Sequence, residues 1–406
     1  MKPHILRGIL GALALSLLFP AFALAQKEIV VWHGYRGGEK AAFEKVVESF
    51  NKANAGKIKV STLAVPYDAF ADKITAAVPR GKGPDVFIFA QDRLGGWIVA
   101  GNTVEPLDFF LDPAIKGRYL KATLDAMTYQ GNTYGLPLNF KVMTLIYNKK
   151  LIATPPKTTA ELEAQAKKFT NAAAGRFGLV YWYSNFYYHA PLMNGFGGGV
   201  FGPNRKPTLN SPQNVQSLEY LVKWINQGFM PAEPSTALIT SLFNAGKAAM
   251  VFSGPWFLGE VSKDIDYGLA PLPAISEIGG KPMRPWITVE GVYVAAPSKN
   301  KDAAFELAKY LTDVPAAKIL AVEGRQTPAN KGVYADPQVA NDPILKAFRQ
   351  QVDTAVPMPN LPEMSMMWTP AATAMNTIVA KTATPKQAMD IAQKEMLERI
   401  ASLLKK

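Results

Sequence analysis

An acid and a base stand side by side at Asp92 and Arg93, directly after the apolar run PDVFIFA and just before Gly-Gly-Trp. A carboxylate accepts hydrogen bonds in pairs and a guanidinium donates them in pairs, so adjacent Asp and Arg can bracket neighbouring hydroxyl groups. His33, Tyr35 and Arg36 follow a second apolar run, EIVVWHG, in the same way. Aromatic residues add the other half of a sugar chemistry. The segment YWYSNFYYH, Tyr181 to His189, is dense in rings, and Trp256, Trp286 and Trp368 sit in SGPW, RPWITVEG and MSMMWTP. Rings of this size normally fill cores. Trp256 and Trp368 differ in standing in irregular stretches rich in Gly, Pro and Met. A pyranose has an apolar face that stacks on a ring and a rim of hydroxyls; burying ~100 Å² of ring and sugar carbon is worth ~2–3 kcal/mol.

Other chemistries find less support. The chain has no cysteine, which removes disulfides, thiolate metal sites and a cysteine nucleophile. Beyond the N-terminal segment only His33 and His189 remain, no ligand cluster suggests a metal, and no zincin, nucleophile-elbow or P-loop motif occurs. Gly197-x-Gly199-x-x-Gly202 matches a dinucleotide fingerprint in letters, but no buried strand precedes it and Pro203-Asn204 follow it. Asp and Glu are numerous enough for a glycosidase pair, yet spacing selects no two of them. No cofactor and no metal are expected.

The elements that must position these residues read as α/β. EIVVWHG is a short buried strand; GGEKAAFEKVVESFNKANAG carries Phe43, Val46, Val47 and Phe50 at helical spacing; KIKVSTLAV alternates as a strand; YDAFADKITAAV is helical; PDVFIFA is a continuous apolar strand. In open α/β sheets ligands bind beyond the carboxyl ends of the strands, which is where His33, Tyr35, Arg36, Asp92 and Arg93 fall. Further on, GLPLNFKVMTLIYNKKL is extended through Asn148, a helix starts at a Thr158 or Thr159 cap, a second one presents Val215, Leu218, Leu221, Val222 and Ile225 on one face, ITVEGVYVAAP is a strand, and a last helix runs from a Thr384 cap with Pro385 to Leu404. No repeat or low-complexity linker divides the chain, which suggests interleaved domains joined by several crossing strands.

The ends and the charge bound the setting. Lys2 and Arg7, the run GILGALALSLLF and Ala23-Leu24-Ala25 form a secretory signal peptide, cleaved before Gln26. With no cysteine to carry a lipid, a freely diffusing periplasmic protein is expected. The remaining 381 residues exceed the usual size of one core, so two domains are expected. They carry a net charge of +10, but the Lys and Arg are scattered, which points to a solvated basic surface and not to nucleic acid.

FAQDRLGGW, LIYNKKL, PPKTTAEL, FNAGKAAMVFSGPW, YGLAPLP and PMPNLPEMSMMW resemble, in collinear order, motifs of the maltose/maltodextrin-binding proteins within the family 1 extracellular solute-binding proteins of ABC importers. The resemblance implies a two-lobed periplasmic-binding-protein-like fold of type II, each lobe a mainly parallel sheet flanked by helices, closing by a hinge on its ligand. It implies lobe one over 26–139 and 291–337 and lobe two over 140–290 and 338–406, with the cleft between them. It also implies a monomeric, non-enzymatic protein that binds an oligosaccharide and delivers it to permease subunits at the membrane. Carried over position by position, Asp92 and Arg93 grip sugar hydroxyls, Asp72 is a helix-borne acidic ligand, Phe89 is an aromatic contact, and Tyr187, Trp256 and Trp368 form a platform in lobe two. Departures stand at Tyr35-Arg36 in place of an Asp-Lys pair, at Lys141 in place of a hinge Glu, at Asn185 in place of an acid and at Ala372 in place of an Arg. The site thereby loses acceptors and gains cations, so another disaccharide, an α-glucan or a carboxylate-bearing sugar is compatible. Lys141 and Glu290, on two lobe-crossing segments, are expected to pair near the cleft floor. The rival reading is a carbohydrate hydrolase using Asp92 and a second carboxylate; a second rival keeps the fold and carries a metal or an oxyanion.

Overall fold

The strand Val86–Ala90 (β3) is buried along its whole length because it is paired on both sides. It lies in a sheet whose order is Thr327–Pro328, Gly135–Lys141, Trp286–Val294, β3, Lys27–His33 (β1) and Ile58–Ala64 (β2), with Val356–Pro357 beside the start of Trp286–Val294. A second sheet orders Tyr267–Ala270, Thr144–Asn148, Ala248–Ser253 and Phe177–Val180. The structure, a computed structural model, describes residues 26–403. The expected leader with its cleavage point, and Leu404 at the expected end of the last helix, lie outside the described residues.

The α/β class stands, but the sheets are mixed where mainly parallel sheets were expected. In the first, β1 pairs in parallel with β2 and β3, whereas Trp286–Val294 runs antiparallel to β3 and to Gly135–Lys141. In the second, only Phe177–Val180 and Ala248–Ser253 are parallel. The reversed directions arise where the chain passes from one sheet to the other and back. It leaves the first sheet at Lys141 and enters the second at Thr144; it returns at Trp286. After Thr327–Pro328 it sends the helix Pro343–Val352 onto the second sheet and comes back at Val356–Pro357. The boundaries expected at 139/140 and 290/291 fall inside Gly135–Lys141 and Trp286–Val294, which pair with each other up to Thr288 opposite Lys141.

Local sequence explains the elements that frame the site. The helix Gly37–Ala53 (α1) buries Phe43, Val46, Val47 and Phe50 against the first sheet, as their spacing requires. The helix Pro212–Asn226, capped by Ser211, buries Val215, Leu218 and Leu221 as expected, but Tyr220 and Trp224 share the buried stripe while Val222 and Ile225 sit at its edge. The last helix begins at Pro385 behind Thr384, whose hydroxyl accepts from the Gln387 N–H at 3.3 Å. One helix had no periodic signal: Phe186–Gly195 contains Pro191 and is buried on nearly every side, so it shows no polar face to read. The glycine run at 197–202 is structural. The Asn214 side chain accepts from Gly199 N–H at 2.9 Å and donates to the carbonyls of Gly199, Thr208 and Leu209, closing that loop.

Candidate functional site

At the end of β3 the chain makes a tight turn, Gln91–Arg93, and enters the helix Leu94–Ala100. Buried Gln91 fixes the turn. Its amide donates to Met358 O at 2.9 Å, and its oxygen accepts from Val289 N–H at 2.7 Å. Asp92 is therefore held in a buried position, 3 % exposed. Its Oδ2 accepts the indole N–H of Trp368 at 2.8 Å and lies 3.1 Å from Arg93 Nε. The Arg93 guanidinium stands 5.5 Å from the centre of the Trp368 ring, and its Nε–H, though close to Asp92, makes no well-aligned hydrogen bond among the described residues. Burial raises the Asp92 pKa above its ordinary value, with Arg93 and the Trp368 N–H acting against it. Gly95 makes this junction possible. A methyl group there would lie 2.4 Å from Pro362 N and 2.5 Å from Asn360 O, so only glycine lets the segment before Trp368 approach the helix.

The floor beside this turn is ionic. Lys141 Nζ lies 2.9 Å from Glu39 Oε1 and 3.1 Å from Glu290 Oε1, all three side chains being buried. The expected Lys141–Glu290 pair is thus present, with a second carboxylate added. Tyr35 O–H donates to Glu290 Oε2 at 2.8 Å and accepts from the Asn139 amide at 3.3 Å. Burial by itself would lower the Lys141 pKa, but Glu290 and Glu39 outweigh it and the net shift is upward. Burial, then the charge of Glu290, pushes Glu39 up against the pull of Lys141.

A row of rings runs from Trp368 to buried Trp286 (6.1 Å between centres), to Tyr187 (6.0 Å) and to Trp256 (6.0 Å); all but Trp286 are partly exposed. The row is pinned at both ends, by the Trp368–Asp92 bond and by Trp256 N–H donating to Tyr188 O–H at 3.0 Å. Tyr187 O–H meets the Thr288 hydroxyl at 3.5 Å.

The structure thus brings together Asp92, Arg93, Lys141, Glu290, Tyr187, Trp256 and Trp368. It places the other expected site residues elsewhere. His33 is fully buried in the core of the first sheet, packed on Phe43, with Nδ1 accepting Tyr35 N–H at 3.1 Å; burial, then Lys40, lowers its pKa to about 4. Tyr35 is a support beneath the ion cluster, 4 % exposed. Phe89 is buried with Phe70 at 5.1 Å and Tyr67 at 4.9 Å, both stacked, so the exposed ring there is Tyr67. Asp72 is exposed on the helix Tyr67–Ala77 (α2), one turn beyond Asp68. Asn185 caps the helix Phe186–Gly195, accepting Tyr187 N–H at 2.9 Å. Arg36 reaches Glu260, Nε to Oε1 at 2.8 Å, with both side chains partly exposed. Among the described residues there is no cluster of metal-ligating side chains and no helix long and apolar enough to cross a membrane.

Residues 36–318 match the family model described as bacterial extracellular solute-binding protein. The chain belongs to that family. This binding protein is 32 % identical to a maltotriose-binding protein of Pyrococcus abyssi over 84 % of its own length and 75 % of the relative's. It is 31 % identical to a galactooligosaccharide-binding protein of Bacillus subtilis, over 89 % and 87 % of the two chains. Among solved structures it resembles a maltose/maltodextrin-binding domain from Bdellovibrio bacteriovorus bound to maltotriose, with TM-score 0.86, 27 % identity and coverage of 92 % and 100 %. It also resembles a Thermus thermophilus maltotriose-binding protein bound with maltotriose, with TM-score 0.84, 27 % identity and the same coverage. Sequence reasoning about the binding protein missed Glu39, Tyr67 and Glu260. Glu39 had a local signal, an acid in the first turn of a helix behind two glycines, where the helix dipole favours a carboxylate. Glu260 had none, because its partner is 224 residues away in sequence.

Proposed function

We propose that this protein is the substrate-binding component of an ABC sugar importer and that it takes a neutral oligosaccharide of maltodextrin type into the cleft between its two sheets. The observation that carries this is the partly exposed Trp368, Tyr187 and Trp256, linked through buried Trp286 and tied to the polar groups by the Trp368–Asp92 bond. The exposed parts of Trp368, Tyr187 and Trp256 offer stacking surface. Asp92 supplies an acceptor and the Arg93 guanidinium beside it, 24 % exposed, supplies donors that a sugar hydroxyl can use. The family membership and the names of the relatives support the same cargo class.

Charge favours a neutral ligand over an acidic one. Each cleft cation already faces a carboxylate: Arg93 faces Asp92, Arg36 faces Glu260, and Lys141 faces both Glu39 and Glu290. These four acids outnumber the three cations, so a uronate would enter a cleft with no unpaired positive charge to meet it. The same pairing argues against hydrolysis. Asp92 is held by Arg93 and Trp368, and Glu290 by Lys141 and Tyr35, which suits hydroxyl binding better than proton donation. The lobes follow the two sheets, with the expected hinge at the crossings near 141–144 and 286. The protein works outside the cytoplasm as a monomer, released from its leader near Ala25-Gln26, and presents its cargo to permease subunits at the membrane.

Intrinsic tryptophan fluorescence tests the cargo. Titration with maltose, maltotriose, a galactooligosaccharide and a uronate-bearing disaccharide should give a saturable change with at least one neutral sugar and none with the uronate. A response confined to the uronate would reverse the charge reading. Silence across the panel from folded protein would remove the sugar assignment, and release of shorter sugars would make the protein a hydrolase.

A further inference from the structure

Arg36 ends the turn after β1 and stands at the head of α1, in the first lobe. Its Nε lies 2.8 Å from Oε1 of Glu260. Glu260 belongs to the opposite lobe. It follows the short helix Pro255–Leu258, whose Phe257 and Leu258 are buried in one cluster with Ile146, Val180 and Phe243 around the second sheet. That lobe holds the carboxylate ready. Thr240 O–H donates to Glu260 Oε2 at 3.0 Å, and the Asn244 amide donates to the Glu260 carbonyl at 2.8 Å. The acceptor is therefore oriented by its own lobe, and Arg36 reaches it from across the cleft.

Beside the ion pair the two backbones touch. Gly37 has φ +51°, and a methyl group on it would lie 2.9 Å from the Gly259 carbonyl oxygen. A methyl group on Gly259 would lie 3.1 Å from Gly38 N. No side chain fits between the lobes along this seam, and neither does a sugar ring. The seam sits just beyond Trp256, at one end of the ring row. The Arg36 and Glu260 side chains remain 44 % and 24 % exposed, so the pair sits at the rim and not in the floor.

We propose that Arg36 and Glu260 form a latch. Their ion pair holds the lobes shut along the Gly37–Gly259 seam and sets how long the ligand stays, without either side chain touching the ligand. The proposal rests on the reading that the ligand lies in this cleft, but it assigns Arg36 a role other than hydroxyl binding. A latch acts on the closed form only. Its loss should speed ligand escape, leave entry unchanged, and do so by the same factor for every sugar that binds.

The test is a double-mutant cycle read by stopped-flow fluorescence, with maltose and maltotriose as probes. R36A and E260A should each raise the dissociation rate roughly two- to fivefold, as befits a half-exposed ion pair. The R36A/E260A protein should be no worse than either single variant, and the reversed pair R36E/E260R should recover much of the loss. Raising salt to about 1 M should speed release from the wild type and leave the variants unchanged. The latch is overturned if E260A is silent while R36A loses affinity, since Arg36 would then be a ligand contact, or if the two losses add in the double variant. If neither sugar binds the wild type, the cargo reading fails, and the latch is judged on ligand-free protein from spin-label distances between the lobes. E260A should then show a smaller closed fraction than the wild type at low salt; identical distance distributions overturn the proposal.

Discussion

Asp92 sits where a carboxylate is expensive. It is buried, its pKa is raised by that burial, and two donors offset the cost only in part. A group whose folded pKa is raised stabilises fully only below its unfolded value, and that share is lost as pH rises through the folded value. At neutral pH ionised Asp92 is therefore a cost, which suits a residue kept for binding. Asp92→Asn should leave the protein at least as stable as the wild type at pH 7, with the advantage vanishing towards pH ~4. It should weaken ligand binding by roughly 10- to 100-fold, the worth of one charged hydrogen bond. Thermal unfolding across pH and a fluorescence titration check the two halves; a marked loss of stability at pH 7 would show that Asp92 is chiefly structural. Lys141 is the opposite case. Lys141→Met would leave Glu39 and Glu290 buried without their cation and should cost about 3–5 kcal/mol at neutral pH. Because the Lys141 pKa is raised, its contribution is present below the unfolded value and lost as pH rises through the folded one. The deficit of the variant in denaturant unfolding should accordingly narrow in strong alkali.

At the scale of elements, the site depends on how closely three segments approach one another. The turn after β3, the Trp286–Val294 strand and the chain before Trp368 are tied together by Gln91, and Gly95 leaves room for the contact. Gly95→Ala would place a methyl group against backbone that cannot rotate away. It should destabilise by about 1–3 kcal/mol, as overpacking does. It should also move Trp368 off Asp92, lowering affinity and shifting the Trp368 contribution to the emission spectrum. A variant that loses stability yet keeps wild-type affinity would show that this junction serves packing alone. The spacing of Phe43, Val46, Val47 and Phe50, a threonine cap at Thr158 or Thr159, the Thr384 cap and the apolar β3 run were legible because each is a local pattern answering a local need. The helix Phe186–Gly195 was not, because an element buried on most sides has no periodic contrast to show.

At the scale of the whole molecule, two histidines placed in the cores link folding to acid. Burial, then Lys40, lowers His33 to about 4, and burial lowers His189 to about 3. A lowered histidine stabilises above its unfolded pKa and loses that share as pH falls through the folded one. Each should add a slope of about 1.4 kcal/mol per pH unit to unfolding between roughly pH 6 and pH 4. The raised carboxylates Asp92 and Glu39 act in the opposite sense, so the clean measurement is a difference. His33→Asn should have a pH dependence shallower than that of the wild type by about one proton's worth over this range. Equal slopes would place a charged histidine in the folded core and contradict the burial.

The sequence by itself determined the α/β class, the caps at Thr158 or Thr159 and at Thr384, and the presence of the aromatic residues and the Asp-Arg pair; the Lys141–Glu290 pair was expected from the resemblance. Those features follow from local periodicity, from residue type and from motifs resembling a known family. Tertiary structure alone decided which of the candidates are buried and which come together. His33, Phe89 and Tyr35 stand at strand ends or turns just as Asp92 does, and nothing in their spacing tells a residue packed beneath a site from one lining it. Glu39 beside Lys141, and Glu260 beside Arg36, meet across 102 and 224 residues of chain. Such contacts form only when a chain that passes repeatedly between two sheets closes on itself, because charges attract through space and leave no periodic trace along the sequence.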